Sequence, residues 1–256
     1  MLIFLKNLNS SQISRCVNEK EKRLGKQSVD AFWTGMSDFV IRQEVEKDWR
    51  AVEEMVKEAF WNLYCPGADE HFILNRLRRD PSFIPSLSLV ATHTVTDEVV
   101  GSIAFSLAHI VHDDPRRERT PILTFGPLAV SPSHQKQGIG GMLVRRGMEL
   151  ATSLGFSHIV IHGDPRYYYR FGFRTAEVFG IRSTDGNFAY CCLAVALSQN
   201  GSEWNAMKGR FVASPLFDAL DPKEVEDFDS SFPKKEKKDN MESQKVFQIL
   251  LSLRYP

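Results

Sequence analysis

The chain carries no net charge: among its 256 residues Lys and Arg number 32 and Asp and Glu number 32. That balance removes the global basic field that gathers proteins on nucleic acid, and no basic segment interleaved with aromatics stands in for it. Cysteine is scarce. Cys16, Cys65, Cys191 and Cys192 form no CxxC pair, so reduced thiols in a cytoplasmic protein are the simple reading and no metal is expected. No run approaches the roughly 18 consecutive apolar residues a membrane helix needs. The apolar start, "MLIFL", is too short for a signal peptide. Lys6, Arg15 and several serines, with no acidic residue before Glu19, resemble an organelle transit peptide in composition; a flexible tail is the expectation.

Two phosphate-binding signatures are also missing. A P-loop needs GxxxxGK[ST], but Gly138-Ile139-Gly140-Gly141 runs on into Met142 and Leu143. A Rossmann turn needs GxGxxG directly after its strand. Here Leu143 stands at the third glycine position, and "SPSHQKQ" separates strand from glycines.

What is present is an α/β pattern. Hydrophobic residues make up 43% of the chain, enough for a real core. Residues 1–36 read as an N-terminal extension, 37–198 as one α/β domain, and 199–256 as a C-terminal extension. "DFVIRQEV" reads as a strand. "DWRAVEEMVKEAFWNL" reads as an amphipathic helix with Asp48 as its N-cap, and a more polar helix is expected over 69–79. Two β-rich runs flank Thr96-Asp97-Glu98, a hairpin signal. "PILTFGPLAV" and "SHIVIHG" are strands, joined by a helix over 140–154 that Gly155 ends, so the two strands are expected to be parallel. "PRYYYRFG" is a short helix or turn and "NFAYCCLAVAL" a late strand. The stretch "DPKEVEDFDSSFPKKEKKDN" reads as a charged surface linker, in part disordered. "QKVFQILLSLRYP" reads as a terminal amphipathic helix that docks on the core.

The chemistry sits in "LAVSPSHQKQGIG". A strand, a polar turn and Gln135-Lys136-Gln137-Gly138-Ile139-Gly140 lead into a helix start. Backbone N–H groups there lack helical partners and converge. Glycines allow close approach, and the helix dipole favours an anion. Such a cradle suits a pyrophosphate without metal or essential lysine.

With these residues the sequence resembles the GNAT superfamily of acetyl-CoA-dependent N-acetyltransferases, in its bacterial-type predicted-acetyltransferase subgroup. The family motif [Q/R]-x-x-G-x-[G/A] after a strand and Val-x-Pro-like turn matches "LAVSPSHQKQGIG". A second motif, Y-x-x-x-G-F, lies at the expected distance in "DPRYYYRFGF", where Tyr168, Gly172 and Phe173 match. The likeness is specific over 121–175, weaker over 38–110, and says little about 1–36 or beyond 200. It implies a GNAT fold: a mixed central sheet with a splayed parallel strand pair flanked by helices. It implies direct transfer of the acetyl group of acetyl-CoA, the co-substrate, to an amine within a ternary complex. Amides of Gln137, Gly138, Ile139, Gly140 and Gly141, after Gln135 and Lys136, would hold the CoA pyrophosphate. Leu128, Ala129 and Val130 would pair their backbone with the pantetheine arm, and Tyr168 would reach the sulfur.

A tyrosine, with a pKa near 10, is a reasonable proton donor to the leaving thiolate. Tyr167, Tyr168, Tyr169 and Phe171 could equally be a packing cluster; spacing to Gly172-Phe173 selects Tyr168. Many relatives carry a glutamate on the strand before the glycines, but "ILTFGPLAV" has no carboxylate. His162 and Asp164 are the nearest ionisable groups, Asp164 also serving as a turn former and cap. Proton removal through water is an equal contender. A CoA-binding sensor or scaffold without catalysis is the alternative. The acceptor, a small-molecule or protein amine, is not readable. Its specificity is expected in loops near 60–86 and 109–120, with His109, His112 and "DDPRRER" either lining the acceptor side or forming a solvated loop. Residues beyond about 238 are expected to be dispensable for CoA binding. A homodimer stays possible; nucleic-acid and membrane partners are not expected.

Overall fold

The computed structural model describes residues 38–197, 207–217 and 219–256. The N-terminal extension of 1–36, with Cys16, lies outside them. Strand β1 (Phe39–Gln43) leads through a 3-10 turn into α1 (Trp49–Phe60). Val52, Met55 and Val56, three and four residues apart, are buried on one side of α1, the pattern a surface helix shows toward its core. Asp48 is not the expected cap: its side chain makes no cap hydrogen bond. It is buried, and its carboxylate accepts two bonds from the Arg42 guanidinium, at 2.6 and 2.9 Å. A two-pronged ionic pair outweighs one cap bond.

Helix α2 (Glu70–Leu77) follows. Just beyond it, buried Arg78 reaches Glu44 at 2.5 Å and Glu53 at 2.6 Å, tying α2 to α1 and to the end of β1. Strands β2 (Leu89–His93) and β3 (Val99–His112) form the expected hairpin, with Asp97 at φ 56° in its turn. Strand β4 (Thr120–Val130), helix α3 (Ile139–Ser153) and strand β5 (His158–His162) give the expected crossover. The helix ends at Gly155, where the N–H of Phe156 donates to Ala151 and that of Gly155 to Thr152. After it come α4 (Pro165–Tyr168) and the short strands β6 (Arg174–Thr175), β7 (Ile181–Arg182) and β8 (Phe188–Ala189), then β9 (Cys192–Ala196).

The main sheet runs β1-β2-β3-β4-β5-β9-β6. β4 and β5 are its central parallel pair, joined by the register pair Leu123–Ile159. A shift in register between Ile103 and Phe105 marks an irregularity where β3 passes Gly126 and Pro127 of β4. Helix α3 packs on one face, through Leu143, Val144, Leu150 and Ala151 against Ile103, Phe105, Leu123 and Ile159. Helices α1 and α2 cover the other, through Val52, Val56, Leu74 and Leu77 against Val90, Ala104 and Ala129.

The C-terminal region differs from a linker with a tail. Strand β10 (Gly209–Val212) returns to the sheet beside His109–His112 of β3. Helix α5 (Pro222–Asp229) sets Phe228 against Phe72, and buried Lys57 of α1 meets Asp229 at 2.6 Å. The basic stretch after Phe232 then runs along α1 as a strap. Its carbonyls accept from side chains: Pro233 from Lys57, and Glu236 from both Trp61 and Asn62. Charge makes this segment look like a solvated linker, but its backbone groups are met by donors from a distant helix. Helix α6 (Glu242–Ser252) and strand β11 (Arg254–Tyr255), which pairs with β8, close the chain. As expected, the terminal helix docks on the core, through Leu250 and Leu251. No helix of the described residues is long and apolar enough to cross a membrane.

Candidate functional site

The glycine loop lies where β4 ends and α3 begins. Gly138 has φ 86° and Lys136 φ 62°, so the chain turns twice through the left-handed region before the helix starts. The first bond of the helical ladder runs from the N–H of Met142 to the carbonyl of Gly138, at 3.0 Å. The amides of Ile139, Gly140 and Gly141 therefore precede the ladder, at the positive end of a 15-residue helix. Around Gly138 there is open space; at Gly140 a Cβ would lie 2.5 Å from the Tyr167 hydroxyl. Tyr167 thus rests against the loop, which only a glycine permits at that distance.

A cleft of 1530 Å³ starts at this loop and follows the gap between β4 and β5. Of the residues expected to hold the co-substrate, Leu128, Val130, Gln135, Lys136, Gly138, Ile139, Gly140 and Gly141 line it. Ala129 and Gln137 do not. The side chain of Ala129 points to the α1–α2 side of the sheet, as strand alternation requires between Leu128 and Val130, and Gln137 is exposed outside the lining. Arg145 and Arg170 also border the cleft. Each guanidinium lies over an aromatic ring, Arg145 over Phe171 at 5.2 Å and Arg170 over Tyr167 at 4.8 Å. Arg145 escaped the sequence reading, although its place one turn after Gly141 was a usable signal.

Tyr168 follows the loop-contacting Tyr167 and also lines the cleft. Its ring packs against Phe125 and Phe173, with centroids 5.8 and 5.7 Å away. A Cβ on Gly163 would meet that ring at 2.5 Å, so the glycine at the end of β5 makes room for it. Burial pushes the Tyr168 hydroxyl far above the usual tyrosine range, and Tyr167, Tyr64 and Asp164 reinforce the shift. It therefore stays protonated at neutral pH. Asp164 caps α4 by accepting from the N–H of Arg166. The Arg166 guanidinium beside it holds its carboxyl below the ordinary range, a poor state for a base. His162 lines the cleft, its ring 5.4 Å from that of Phe211 on β10.

The other wall of the cleft comes from three elements distant in sequence from the glycine loop. Phe60, Leu63, Tyr64, Glu70 and Ile73 line it from α1, the loop after it and α2, and Val246, Phe247, Leu250 and Leu251 from α6. Tyr64 and Phe247 stack with centroids 4.3 Å apart. Of the stretch 60–86, five residues between 60 and 73 border the cleft. The 109–120 stretch is not among the lining residues: β10 pairs with residues 109–112, and His112 bonds to the Lys208 carbonyl and to Thr120. Of the two alternatives for His109, His112 and the charged loop, a place along this cleft is not the one observed. Residues between 242 and 254 line the cleft instead.

Glu70 is the carboxylate that sequence reasoning missed. Part of its surface opens on the cleft, yet protein surrounds it closely enough that burial pushes its carboxyl up to about 7. Neighbouring Asp69 adds to the rise, while the N–H groups of Glu70 and Asp69 oppose it. Glu70 and Asp164 both raise the Tyr64 hydroxyl, after burial itself. Tyr64 and Asp164 act on Tyr168 in turn, so these four groups belong to one electrostatic neighbourhood. In sequence Glu70 looks like any acidic residue in the first turn of a polar helix.

Residues 48–173 match the Acetyltransferase (GNAT) family. The N-acetyltransferase YhbS of Escherichia coli is 29% identical over 143 residues, which span 56% of this chain and 78% of that protein. YjhQ of the same organism, also an N-acetyltransferase, is 35% identical over 98 residues, 38% of this chain and 51% of that one. The solved structure of Escherichia coli YhbS in complex with CoA covers 73% of this chain and 96% of its own, at TM-score 0.62 and 24% identity, a likeness of fold. A GNAT acetyltransferase of Brucella melitensis in complex with acetyl-CoA covers 70% and 98%, at TM-score 0.55 and 27% identity.

Proposed function

Because this chain belongs to the GNAT superfamily of N-acetyltransferases, we propose that it moves the acetyl group of acetyl-CoA directly to an amine within a ternary complex. One observation carries the reading. The unladdered amides of 139–141, the parting of β4 from β5 after Leu123–Ile159, and Tyr168 all open on the same cleft. An anion cradle, a slot for an extended arm and a proton donor in sequence along one groove fit an acyl-CoA thioester. That Brucella melitensis relative was solved with acetyl-CoA, which supports the same donor here.

In this reading the loop amides, with Arg145 and Lys136 near them, hold the pyrophosphate, and backbone groups of residues 128–130 hold the pantetheine arm. The neutral amine attacks the thioester carbonyl carbon. The C–N bond forms, the C–S bond breaks, and the thiolate takes the Tyr168 proton. An alkylamine with a pKa near 10.4 must first lose a proton, which costs about 4–5 kcal/mol at pH 7 without help. His162 is one group at the cleft that could aid proton removal; a better-placed one is argued below.

The test is thiol release from acetyl-CoA across a panel of small amines and lysine peptides, with acetyl-CoA titrated calorimetrically in parallel. Release with any amine establishes transfer. Tight acetyl-CoA binding with no release from any amine overturns the enzyme reading in favour of a binding protein.

A further inference from the structure

Resting on the reading above, we propose that the wall of the cleft between Tyr64, Glu70 and helix α6 is the acceptor pocket, that it takes a primary amine carried on an aromatic body, and that Glu70 removes the ammonium proton.

The pocket's chemistry is two-part. Phe60, Tyr64, Ile73 and Phe247 supply apolar surface, with the Tyr64–Phe247 stack as a rigid platform. Flat rings of this kind offer large contact area at low entropic cost and receive another ring by offset or edge contact. Glu70 supplies the polar point. Among the described residues no cation is ion-paired with it, and none contributes to its proton affinity. A desolvated carboxylate without a counter-ion is destabilised, and a ligand that brings an ammonium group supplies the missing charge. A polyamine or a lysine-rich segment would bring charge but leave the aromatic wall unfilled.

Glu70 also answers the missing strand carboxylate. Its proton affinity near neutrality suits a group that must take a proton and release it again. The ionisable groups around it are Asp69 beside it, Tyr64 and Cys65 from the loop after α1, and, lining the same cleft, Asp164, Tyr168 and Glu242 at the start of α6. Lys237 on the strap acts on Asp69. Two protons leave the nitrogen in all. Glu70 takes the first from the ammonium ion, directly or through one water. The amine attacks, C–S cleaves, and Tyr168 protonates sulfur. The second nitrogen proton restores Tyr168, and Glu70 returns its proton to solvent, so the cycle releases one proton.

The experiment uses the full chain and three amines: 2-phenylethylamine, spermidine and a lysine-containing peptide. The expected result is a kcat/KM for 2-phenylethylamine about tenfold or more above the other two. Phe247→Ala should raise the KM for that amine several-fold and leave the acetyl-CoA KM unchanged. Glu70→Gln should lower kcat by about 10²-fold or more and flatten the rise in rate through neutral pH. Since Glu70→Gln removes a desolvated charge, the variant folds, which an unchanged acetyl-CoA titration verifies. Turnover of spermidine or peptide above 2-phenylethylamine, with Phe247→Ala silent, overturns the acceptor class while the transferase stands. An unaltered rate and pH profile in Glu70→Gln removes it as the base and leaves His162 or solvent. No thiol release with any amine, despite bound acetyl-CoA, overturns the transferase reading itself.

Discussion

The ring of Phe247 lies on that of Tyr64, with centroids 4.3 Å apart and planes 26° apart, although one belongs to the last helix and the other to the loop after the first. The strap explains how they meet. Asn62 accepts from the Lys238 N–H through its side chain and from Gln244 through its carbonyl. The start of α6 is thereby held two residues from Tyr64.

Ending the chain after Lys238 removes α6 and β11 but leaves the loop at 135–141 intact. Acetyl-CoA should still raise the melting temperature of the truncated protein. Saturation by amine should be lost, and the melting temperature without ligand should fall as Leu250 and Leu251 leave the core. Thermal melts with and without acetyl-CoA, beside amine saturation curves, measure both. A folded truncation that acetyl-CoA no longer stabilises would mean that α6 reaches the donor half.

Gly138→Asp should weaken CoA binding by several kcal/mol without unfolding the protein. The position has φ 86° and open space around it, and Asp tolerates that region better than most residues. The added carboxylate opposes the phosphate at the helix start. Gly140→Asp adds a collision with the Tyr167 hydroxyl, 2.5 Å from the new Cβ, and should be worse in both binding and melting temperature. Isothermal titration with CoA decides; wild-type affinity in both folded variants takes the loop out of the site.

Tyr168→Phe keeps the contacts to Phe125 and Phe173 and removes one O–H. Acetyl-CoA affinity should be nearly unchanged and kcat should fall by about 10²–10⁴-fold. Burial raises this hydroxyl, so it should cause no alkaline limb within the ordinary assay range, unlike a free phenol. Tyr167→Phe should act on the glycine loop instead, through CoA affinity. An unchanged kcat in Tyr168→Phe, with chemistry rate-limiting, returns the ring to a packing role.

Two buried histidines should make the fold sensitive to acid. His158 is buried, and burial lowers its pKa from 6.5 to about 4. His71 is lowered too, by burial first, although Asp229 opposes the shift. Between about pH 6.5 and 4 the unfolded chain binds protons that the folded chain refuses. Their contribution is therefore full above pH 6.5 and drains as pH falls through that window, by about 3 kcal/mol at pH 4 for His158 alone. Glu70, whose carboxyl is raised to about 7, opposes it by binding its proton more tightly in the folded chain. Urea unfolding at pH 7 and pH 5 measures it, and His158→Leu should flatten the difference. A His158→Leu variant with the same difference between pH 7 and pH 5 as the parent would show that this imidazole titrates normally.

Elements made by neighbouring residues were legible in the sequence. The β4–α3–β5 crossover follows from an apolar run, a glycine-opened helix and a second apolar run. The spacing of Tyr168 to Gly172 follows from the short helix α4. The Asp48 cap failed because Arg42, on another element, claimed the carboxylate. The charged stretch beyond Asp229 failed because its carbonyl partners lie on α1 and just after it.

The sequence by itself determined the donor half of the site, because a helix start exposes its amides wherever it forms and glycine alone allows that turn. Only the tertiary structure decided the opposite wall, proposed above as the acceptor half. The proton affinity of Glu70 depends on how much water is excluded around it, and the aromatic platform exists only when α6 closes on Tyr64. Both are properties of chain segments far apart in sequence, set by packing and burial rather than by any local pattern.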